Sequence, residues 1–383
     1  MLRSGNTIRR ATKARSIAAL VVLAALIVIV PGAHAGSRTE ICAPGVLPQS
    51  GAGVTGIFGA DSPPSESIRT LAWLVLGICA AIFVVVEGLL LVAVVRFRRS
   101  SRETRGGRSS AGGESAASNG GETEPAQLYG SNPIELAWTV VPLIIVFVLG
   151  LVTIRTIREV QLTEPPEGAL RVVVIGHQWW WEYRYPDELG PGREVVTANE
   201  LVVPTGRPVW LELESADVVH SWWVPRLAGK TDLVPARTNL LWFKAQRPGV
   251  FLGQCAEYCG TQHANMLLRV SAVDPELFAA WLEHQATPAV ADSSVDAGRN
   301  LFLALACMNC HDVDGASVGM FGPNLTHLAS RETIGAGVRP LTRDNLRAWI
   351  DDPQTIKPGC NMPSLKLDST QLDLITDYLM TLR

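Results

Sequence analysis

The stretch Cys255-Ala256-Glu257-Tyr258-Cys259-Gly260-Thr261-Gln262-His263-Ala264-Asn265-Met266 brings two thiols, an imidazole and a thioether into one short loop. A second imidazole, His220, lies upstream in Val219-His220-Ser221-Trp222-Trp223. If the loop folds back on the strand that carries His220, these side chains form a nitrogen-and-sulfur ligand set that suits copper. The alternatives for Cys-x-x-x-Cys are a disulfide or a helical pair of buried thiols. A disulfide leaves the following His and Met without a role, and tetrahedral zinc does not need Met.

A second motif, Cys307-Met308-Asn309-Cys310-His311, has the spacing at which c-type haem is attached. In such a site both thiols bond to the haem vinyl groups, and the histidine binds iron. Alone, the pentapeptide also fits a thioredoxin-like redox pair or half of a zinc site. Its context favours haem, because a predicted helix (296–306) precedes it, Gly322-Pro323-Asn324-Leu325 follows, and Pro358-Gly359-Cys360-Asn361-Met362-Pro363 supplies a second ligand.

The first motif resembles the binuclear copper site, CuA, of subunit II of the haem-copper cytochrome c oxidases, and every position of that family's pattern is filled. The resemblance implies that Cys255 and Cys259 bridge both coppers, with one histidine on each copper. The remaining ligands that it implies are His220, His263, Met266 and the backbone carbonyl of Glu257. Such a centre transfers electrons and performs no substrate chemistry.

The C-terminal part resembles a class I cytochrome c, with His311 as the proximal iron ligand and Met362 as the distal one. Ligation by His and Met raises the haem potential, which suits an acceptor of electrons from respiratory donors. Met320 is the rival sixth ligand, but it precedes the Gly-Pro loop that packs on the proximal histidine. Trp349 is expected against the macrocycle or in the core.

The composition gives little further information about function. The net charge of −3 and the 47% of apolar residues give no basic excess that would indicate nucleic-acid binding. The number of cysteines, 7, is odd. Cys79 lies in an apolar run and is expected to be a small buried hydrophobe. Cys42 and Cys360 are two incidental thiols or a disulfide; a lipidated Cys42 is a further alternative, although Thr39-Glu40-Ile41 lacks the small residues typical of such processing.

Residues 1–35 have the three-part layout of a secretory signal peptide. Basic residues precede the apolar run Ile17–Val30, and Ala33-His34-Ala35 ends it before Gly36. The alternative is an uncleaved first anchor. Residues 36–67, rich in Gly, Pro and Ser, are predicted to form an irregular external lead.

Two long apolar segments, 68–95 and 133–155, predict a two-helix transmembrane hairpin. The intervening loop, 96–132, contains an arginine cluster and a Gly/Ser/Ala-rich run, 106–121. The arginines place this loop on the cytoplasmic side of the membrane and both outer ends outside; they are Arg96, Arg98, Arg99, Arg102, Arg105 and Arg108.

Two glutamates lie at or near membrane depth, where an ionisable group is costly and a function should be considered. Glu135 matches the family's glutamate near the cytoplasmic mouth of a proton path into subunit I, and a charge at the helix end is the alternative. Glu87 has no family role to transfer and is a candidate for pairing with a partner subunit.

Residues 163–286 contain short β-branched runs separated by Pro and Gly, which predict a β-sandwich or barrel. The resemblance implies a cupredoxin-like Greek-key β-barrel closed by a helix after Asp274. Residues 287–293 are predicted as a linker and 294–383 as an all-α class I cytochrome c domain. The predicted strands are 171–176, 208–214, 218–224, 239–245 and 266–273.

Family matching also gives roles to Trp179 and to the side chain of Glu257. Trp179, the first of three consecutive indoles, matches the aromatic residue by which electrons from cytochrome c reach CuA; filling the barrel is the alternative. Glu257 corresponds to a residue whose carboxylate binds a magnesium ion shared with subunit I.

Taken together, these features predict the electron-accepting subunit of a two-pass bacterial plasma-membrane oxidase, with both metal domains on the outer face. Electrons are expected to pass from an external cytochrome c or upstream complex to haem c, then CuA, then subunit I, where oxygen is reduced; subunit III is a further expected partner. A quinol oxidase subunit would lack the copper ligands. A nitric oxide reductase with a CuA subunit and a non-catalytic copper-binding membrane protein are also compatible with parts of this pattern.

Overall fold

The computed structural model describes residues 56–97, 130–289 and 293–383. In these ranges the chain forms two long apolar helices, a two-sheet β-sandwich and a small helical domain. The signal peptide predicted over 1–35 and Cys42 lie outside the described residues. So do most of the external lead, most of the arginine-rich loop and the middle of the predicted linker.

Helices α1 (Pro63–Phe97) and α2 (Asn132–Val160) are long and apolar enough to cross a membrane. Both extend past the predicted spans because polar residues at their ends continue the helix beyond the apolar run. Helix α1 therefore begins inside the segment predicted to be irregular. Pro133 occupies the first turn of α2, where its missing N–H has no helical partner to lose.

The first sheet of the sandwich contains β1 (Leu170–His177), β2 (Trp180–Tyr185), β3 (Val195–Ala198), β5 (Val209–Ser215) and β8 (Asn239–Phe243). The second contains β4 (Glu200–Pro204), β6 (His220–Trp223), β7 (Thr231–Leu233), β9 (Gly249–Cys255) and β10 (Leu267–Val273). Their orders are β3-β2-β1-β5-β8 and β4-β10-β9-β6-β7. Strands β1 and β5 run parallel, as do β4 and β10. The predicted cupredoxin-like sandwich is confirmed.

The five predicted strands all form, with ends shifted by a few residues. Strands β2, β3, β4, β7 and β9 are additional to the predicted set. Every residue of β4 is buried, so no polar alternation marks it. Strand β7 is three residues long, too short to give a pattern.

The sandwich core lies between the two sheets. In β1, Leu170, Val172 and Val174 alternate into it, as period-two patterning requires. Helix α3 (Pro275–Gln285) closes one end of the core with Phe278 and Trp281. Each such large apolar side chain contributes about 1.5–3 kcal/mol when it is fully buried.

The C-terminal domain is built from helices around its own apolar cluster. The helices are α4 (Asp296–Ala304), α5 (Cys307–Cys310), α6 (Arg343–Asp351), α7 (Pro353–Ile356) and α8 (Ser369–Thr381). Helix α8 starts with a capping box between Asp368 and Gln371. Phe302 of α4 packs on Tyr378 of α8, and Leu346 and Ile350 of α6 join the same cluster.

Asp61 joins the base of α1 to the sandwich. Its carboxylate accepts hydrogen bonds from the guanidinium of Arg226 and, at 2.6 Å, from Arg247. Burial alone raises the pKa of Asp61, but the two cations outweigh it and hold the pKa below its ordinary value. This ion-pair cluster fixes where the start of α1 meets the sandwich.

Candidate metal centres

The metal-binding side chains of the loop meet at the end of β9. Cys255 is the last residue of β9 and Cys259 lies in the following turn; both are buried, and their sulfurs are 3.7 Å apart. The Cys259 sulfur lies 3.6 Å from His263 Nδ1 and 3.8 Å from the Met266 sulfur. The carbonyl oxygen of Glu257 lies 3.2 Å from the Cys255 sulfur.

His220 reaches the same cluster from the neighbouring strand. It opens β6, in which Trp222 pairs with Cys255 across the sheet. One ring nitrogen of His220 and the sulfurs of Cys255 and Cys259 all lie within 4.8 Å of one another. The fold therefore brings His220 and the Cys255–Met266 loop, which are far apart in the sequence, into one site.

The His220 ring is oriented by a carboxylate. Its Nε2 lies 2.7 Å from Asp217 Oδ1, whereas the buried Nδ1 has no hydrogen-bond partner in the part of the chain that the structure describes. Burial alone lowers the pKa of His220, but the contact with Asp217 outweighs it and raises the pKa. A histidine that donates one N–H to a carboxylate and has a buried, unpartnered second nitrogen is typical of metal ligation.

Gly176 of β1 makes room for this ring. A Cβ atom at Gly176 would lie 2.8 Å from His220 Cδ2, closer than carbon atoms pack. The glycine is therefore required by the close approach of the two sheets at His220.

The protonation of the two thiols is coupled, because their sulfurs lie 3.7 Å apart. The contact with Cys259 holds the pKa of Cys255 far below its ordinary value, and the same contact raises the pKa of Cys259. Metal binding requires both groups as thiolates and therefore releases their protons. A set of two thiols, two imidazoles and a thioether fits copper.

The haem-attachment motif lies on α5. Cys307 and Cys310 occupy one helical turn, and His311 follows directly. His311 Nδ1 lies 2.9 Å from the carbonyl oxygen of Pro323, which fixes the ring orientation and reserves Nε2 for a ligand. Burial lowers the pKa of His311, which favours the neutral form that binds iron. A Cβ at Gly322 would lie 2.7 Å from His311 Cε1, so this loop packs directly on the ring.

A cavity of about 280 Å³ adjoins the motif. Cys307, Cys310 and His311 line it, as do Met362 and Trp349. Met320 does not line it, and its side chain is 82% exposed.

Arg331 supplies a cation to the wall of this cavity. Its Nε is buried and lacks a hydrogen-bond partner among the described residues. Burial lowers the pKa of Arg331 to about 10, so the guanidinium is still charged at neutral pH. Two thiols, an imidazole, an apolar wall and a buried cation with an N–H to spare fit haem, which carries vinyl groups, iron and carboxylates.

The copper-binding domain forms part of the same cavity wall. Gln178 and Trp179 line the cavity, and both side chains also donate to the carbonyl oxygen of Cys259, at 2.8 and 2.9 Å. Trp179 is only 9% exposed. It therefore lies directly between the haem cavity and the copper-binding loop.

Three hydrogen bonds cross from the Met362 loop to the copper domain. Lys357 Nζ donates to the carbonyl oxygen of Trp179 at 2.7 Å, and Asn361 Nδ2 donates to that of Gln178 at 2.9 Å. In the opposite direction, Gln262 Nε2 donates to the carbonyl oxygen of Pro358 at 2.5 Å.

A second polar contact lies beside the first. The Glu200 carboxylate of β4 accepts from the backbone N–H of Glu332 at 3.0 Å and from the Thr333 hydroxyl at 2.7 Å. Arg269 is paired with Glu332, and its guanidinium lies 4.0 Å from Glu200. Burial raises the pKa of Glu200 despite these partners.

Of the other residues singled out in the sequence, the two membrane-depth glutamates and Cys79 lie away from this cluster. Glu135 is in the first turn of α2, where its carboxylate accepts from the Ser131 backbone N–H at 3.2 Å. Glu87 lies within α1. The Glu257 side chain is exposed, and its carbonyl, not its carboxylate, faces the thiols. Cys79 is exposed on α1, contrary to the expectation of burial, because this helix has protein on little of its surface.

Sequence reasoning missed four residues of the two centres and their junction: Asp217, Gln178, Arg331 and Lys357. Asp217 carried a signal, since a carboxylate three positions before a ligand histidine can orient it. Lys357 and Arg331 carried none, because charged residues are usually exposed and only the fold buries them.

Comparison with known proteins identifies two families in the chain. The family described as cytochrome c oxidase subunit II, periplasmic domain, matches residues 187–273, and the cytochrome c family matches residues 295–383. Both matches fall on the domains that contain the motifs.

Curated relatives cover most of the chain. Cytochrome c oxidase subunit 2 of Alkalihalophilus pseudofirmus is 35% identical over 271 residues, covering 69% of this chain and 77% of the relative. The protein of the same name from Bacillus subtilis is 31% identical over 316 residues, covering 77% of this chain and 82% of the relative. Among solved structures, the periplasmic domain of subunit II from Bradyrhizobium japonicum is 33% identical and covers 32% of this chain and 96% of its own, with a TM-score of 0.30.

Proposed function

The chain belongs to the cytochrome c oxidase subunit II family, and from that premise we propose that it carries electrons from a haem c in its C-terminal domain to a CuA centre in its β-sandwich. It is a subunit of a haem-copper oxidase complex, with CuA and haem c as its cofactors. The observation that carries the proposed route is the position of Trp179, which lines the haem cavity and donates to the carbonyl oxygen of a copper ligand, Cys259.

The two coppers would be held by Cys255 and Cys259 as bridging thiolates, with His220 and His263 on one copper each. Met266 and the Glu257 carbonyl would be the weak axial ligands. Bound copper and haem iron supply reversible one-electron couples. The protein's part is to keep the ligand atoms in place, and a loop anchored on β9 and β6 inside a packed sandwich does this well.

The haem would be attached through Cys307 and Cys310, with His311 and Met362 as iron ligands. The position of Met362 on the cavity wall supports this choice over Met320, whose side chain is in solvent. The bond between His311 Nδ1 and Pro323 holds the imidazole in the orientation and tautomer that iron needs.

Trp179 is the proposed relay between the centres. Because Trp179 faces the tethered haem domain, the immediate donor to CuA is haem c of the same chain. Tethering keeps this donor at a high effective concentration, so the step does not depend on a diffusing partner. An external cytochrome c or an upstream complex delivers electrons to the haem domain.

Two further roles complete the proposal. Glu135, an ionisable group at the end of a spanning helix, is the candidate for the start of a proton path into subunit I. The exposed carboxylate of Glu257 is the candidate ligand for a magnesium ion shared with that subunit. Carboxylate oxygen is the ligand that magnesium prefers.

The two apolar helices are compatible with a two-pass membrane protein. We place the arginine-rich loop 96–132 in the cytoplasm and the two metal domains on the outer face of the bacterial plasma membrane. Oxygen is reduced on subunit I, and subunit III is a further expected partner.

The test uses the complete oxidase with Cys255→Ser, and Cys79→Ser as the matched control. The Cys255 variant should lose the CuA absorption, keep its covalent haem and consume no oxygen, because electrons reach haem c but have no copper acceptor. The Cys79 variant should behave as wild type. Normal oxygen consumption by the Cys255 variant would contradict the proposed route.

A further inference from the structure

Lys357 is a buried cation at the contact between the two metal-binding domains. Its side chain is only 2% exposed, and burial lowers its pKa to about 8, which leaves it charged at neutral pH. A buried ammonium is unfavourable unless its N–H groups are hydrogen-bonded. Those of Lys357 donate to one carbonyl in each domain, Trp179 at 2.7 Å and Gly335 at 3.0 Å.

The partners of Lys357 place it in the path between the metal centres. Trp179 accepts from Lys357 through its carbonyl oxygen and donates through its indole to Cys259. On the haem side, Lys357 begins the segment that leads to Met362 and lines the haem cavity itself. Lys357 thus brings a full charge into this contact.

We propose that Lys357 is a positioning residue for the haem-to-copper electron transfer: its ammonium, bound to the Trp179 carbonyl, holds the haem domain in the orientation that presses the Met362 loop against Gln178 and Trp179. This inference rests on the proposed function. Asn361, which donates to the Gln178 carbonyl, is the weaker second member of the same contact.

A consequence concerns external donors. With the haem domain docked, Trp179 is 9% exposed and both its indole N–H and its carbonyl are engaged. A soluble cytochrome therefore meets the haem domain and not Trp179. Loss of the Lys357 contact should uncover this surface as well as slow the internal step.

The experiment measures electron transfer within the complete oxidase after photoreduction of haem c, followed at the haem and CuA absorption bands. Lys357→Met keeps the length of the side chain and removes the charge. A hydrogen bond from a charged group is strong enough that we expect the rate to fall about tenfold or more. The rate should also become dependent on solvent viscosity, because an undocked domain must find its orientation by diffusion.

Lys366→Met is the matched control, since Lys366 is exposed in the same domain; its rate should equal that of wild type and be insensitive to viscosity. Asn361→Ala tests the same contact without touching the buried charge, and should slow transfer by about threefold with the same dependence on viscosity. This variant keeps the test valid if Lys357→Met does not assemble.

Two results would overturn the positioning role. One is a wild-type rate in Lys357→Met with covalent haem intact. The other is a slower rate that stays independent of viscosity, which would mean that the domain is still docked. If wild-type oxidase itself shows no transfer from haem c to CuA, the proposed route fails before Lys357 is at issue.

Discussion

The two metal centres of this chain are built in different ways. The proposed copper ligands come from the ends of β6 and β9 and from the loop that follows β9, and three of their ligand atoms lie within 4.8 Å of one another. The haem site is a cavity of about 280 Å³ whose walls come from loops, short helices and part of the other domain. The ligand atoms of the copper site are therefore already close together without the metal. The haem, in contrast, would itself fill much of the space between the loops and helices that form its site.

This difference in construction means that the haem and the copper should contribute unequally to the stability of their domains. A haem bound in the cavity of about 280 Å³ would bury apolar surface inside a small domain, and burial of apolar surface stabilises the folded state. The sandwich has a large apolar core that spans Leu170 to Leu282, whereas the apolar cluster of the haem domain is smaller. Metal removal should therefore affect the two domains unequally.

The largest expected effect follows from removing the haem attachment. With Cys307→Ser and Cys310→Ser together, the haem domain should lose most of its stability, because about 280 Å³ of its interior is left unfilled. Limited proteolysis should then degrade residues 293–383, while the CuA absorption persists.

Cys360→Ser is the control for that experiment, because Cys360 is a thiol of the same domain outside the attachment motif. It should keep its haem and resist the protease. Equal protease resistance of the double variant would show that the haem pocket is as preassembled as the copper site.

A smaller effect is expected from replacing the proposed distal iron ligand. Met362→Ala should keep covalent haem but lower its potential by an amount on the order of 100 mV, because a methionine ligand raises the haem potential. Redox titration followed at the haem band measures this. Met320→Ala, which changes an exposed methionine, should leave the potential unchanged. The reverse pattern would move the sixth ligand to Met320.

The smallest of the three expected effects concerns the affinity of the proposed copper site. Asp217→Asn removes the carboxylate that orients His220, and the copper affinity should fall by about 10–100-fold. Competition with a copper chelator measures the affinity. Asp232→Asn, a change of a carboxylate on β7 of the same sheet, is the control and should bind as wild type. If both variants bind copper equally well, the strands alone orient His220.

Much of the fold could be predicted from local patterns. The apolar runs predicted both long helices, and short β-branched runs predicted strands such as β1 and β10. Among the strands that were missed, β4 is fully buried and β7 is very short. In these segments burial on both faces or brevity removes the periodicity on which prediction depends.

The ligand motifs could be predicted from the sequence because metal binding requires particular side chains at particular spacings. Cys255, Cys259 and His263 fall in one short segment, and Cys307, Cys310 and His311 in another, so only His220 and Met362 are distant in the sequence from the rest of their sites. The orienting residue of His220 was less visible, since an aspartate in a turn has many ordinary uses.

The sequence by itself determined the class of the protein, its two metal-binding motifs and its apolar helices, because these depend on side-chain chemistry and on periodicity along the chain. Only the tertiary structure decided that Trp179 faces the haem cavity, that Met362 and not Met320 lines it, and that Lys357 is buried at the junction. The reason is physical: burial and contact between domains arise when residues far apart in the chain are packed together, and no local pattern records that packing.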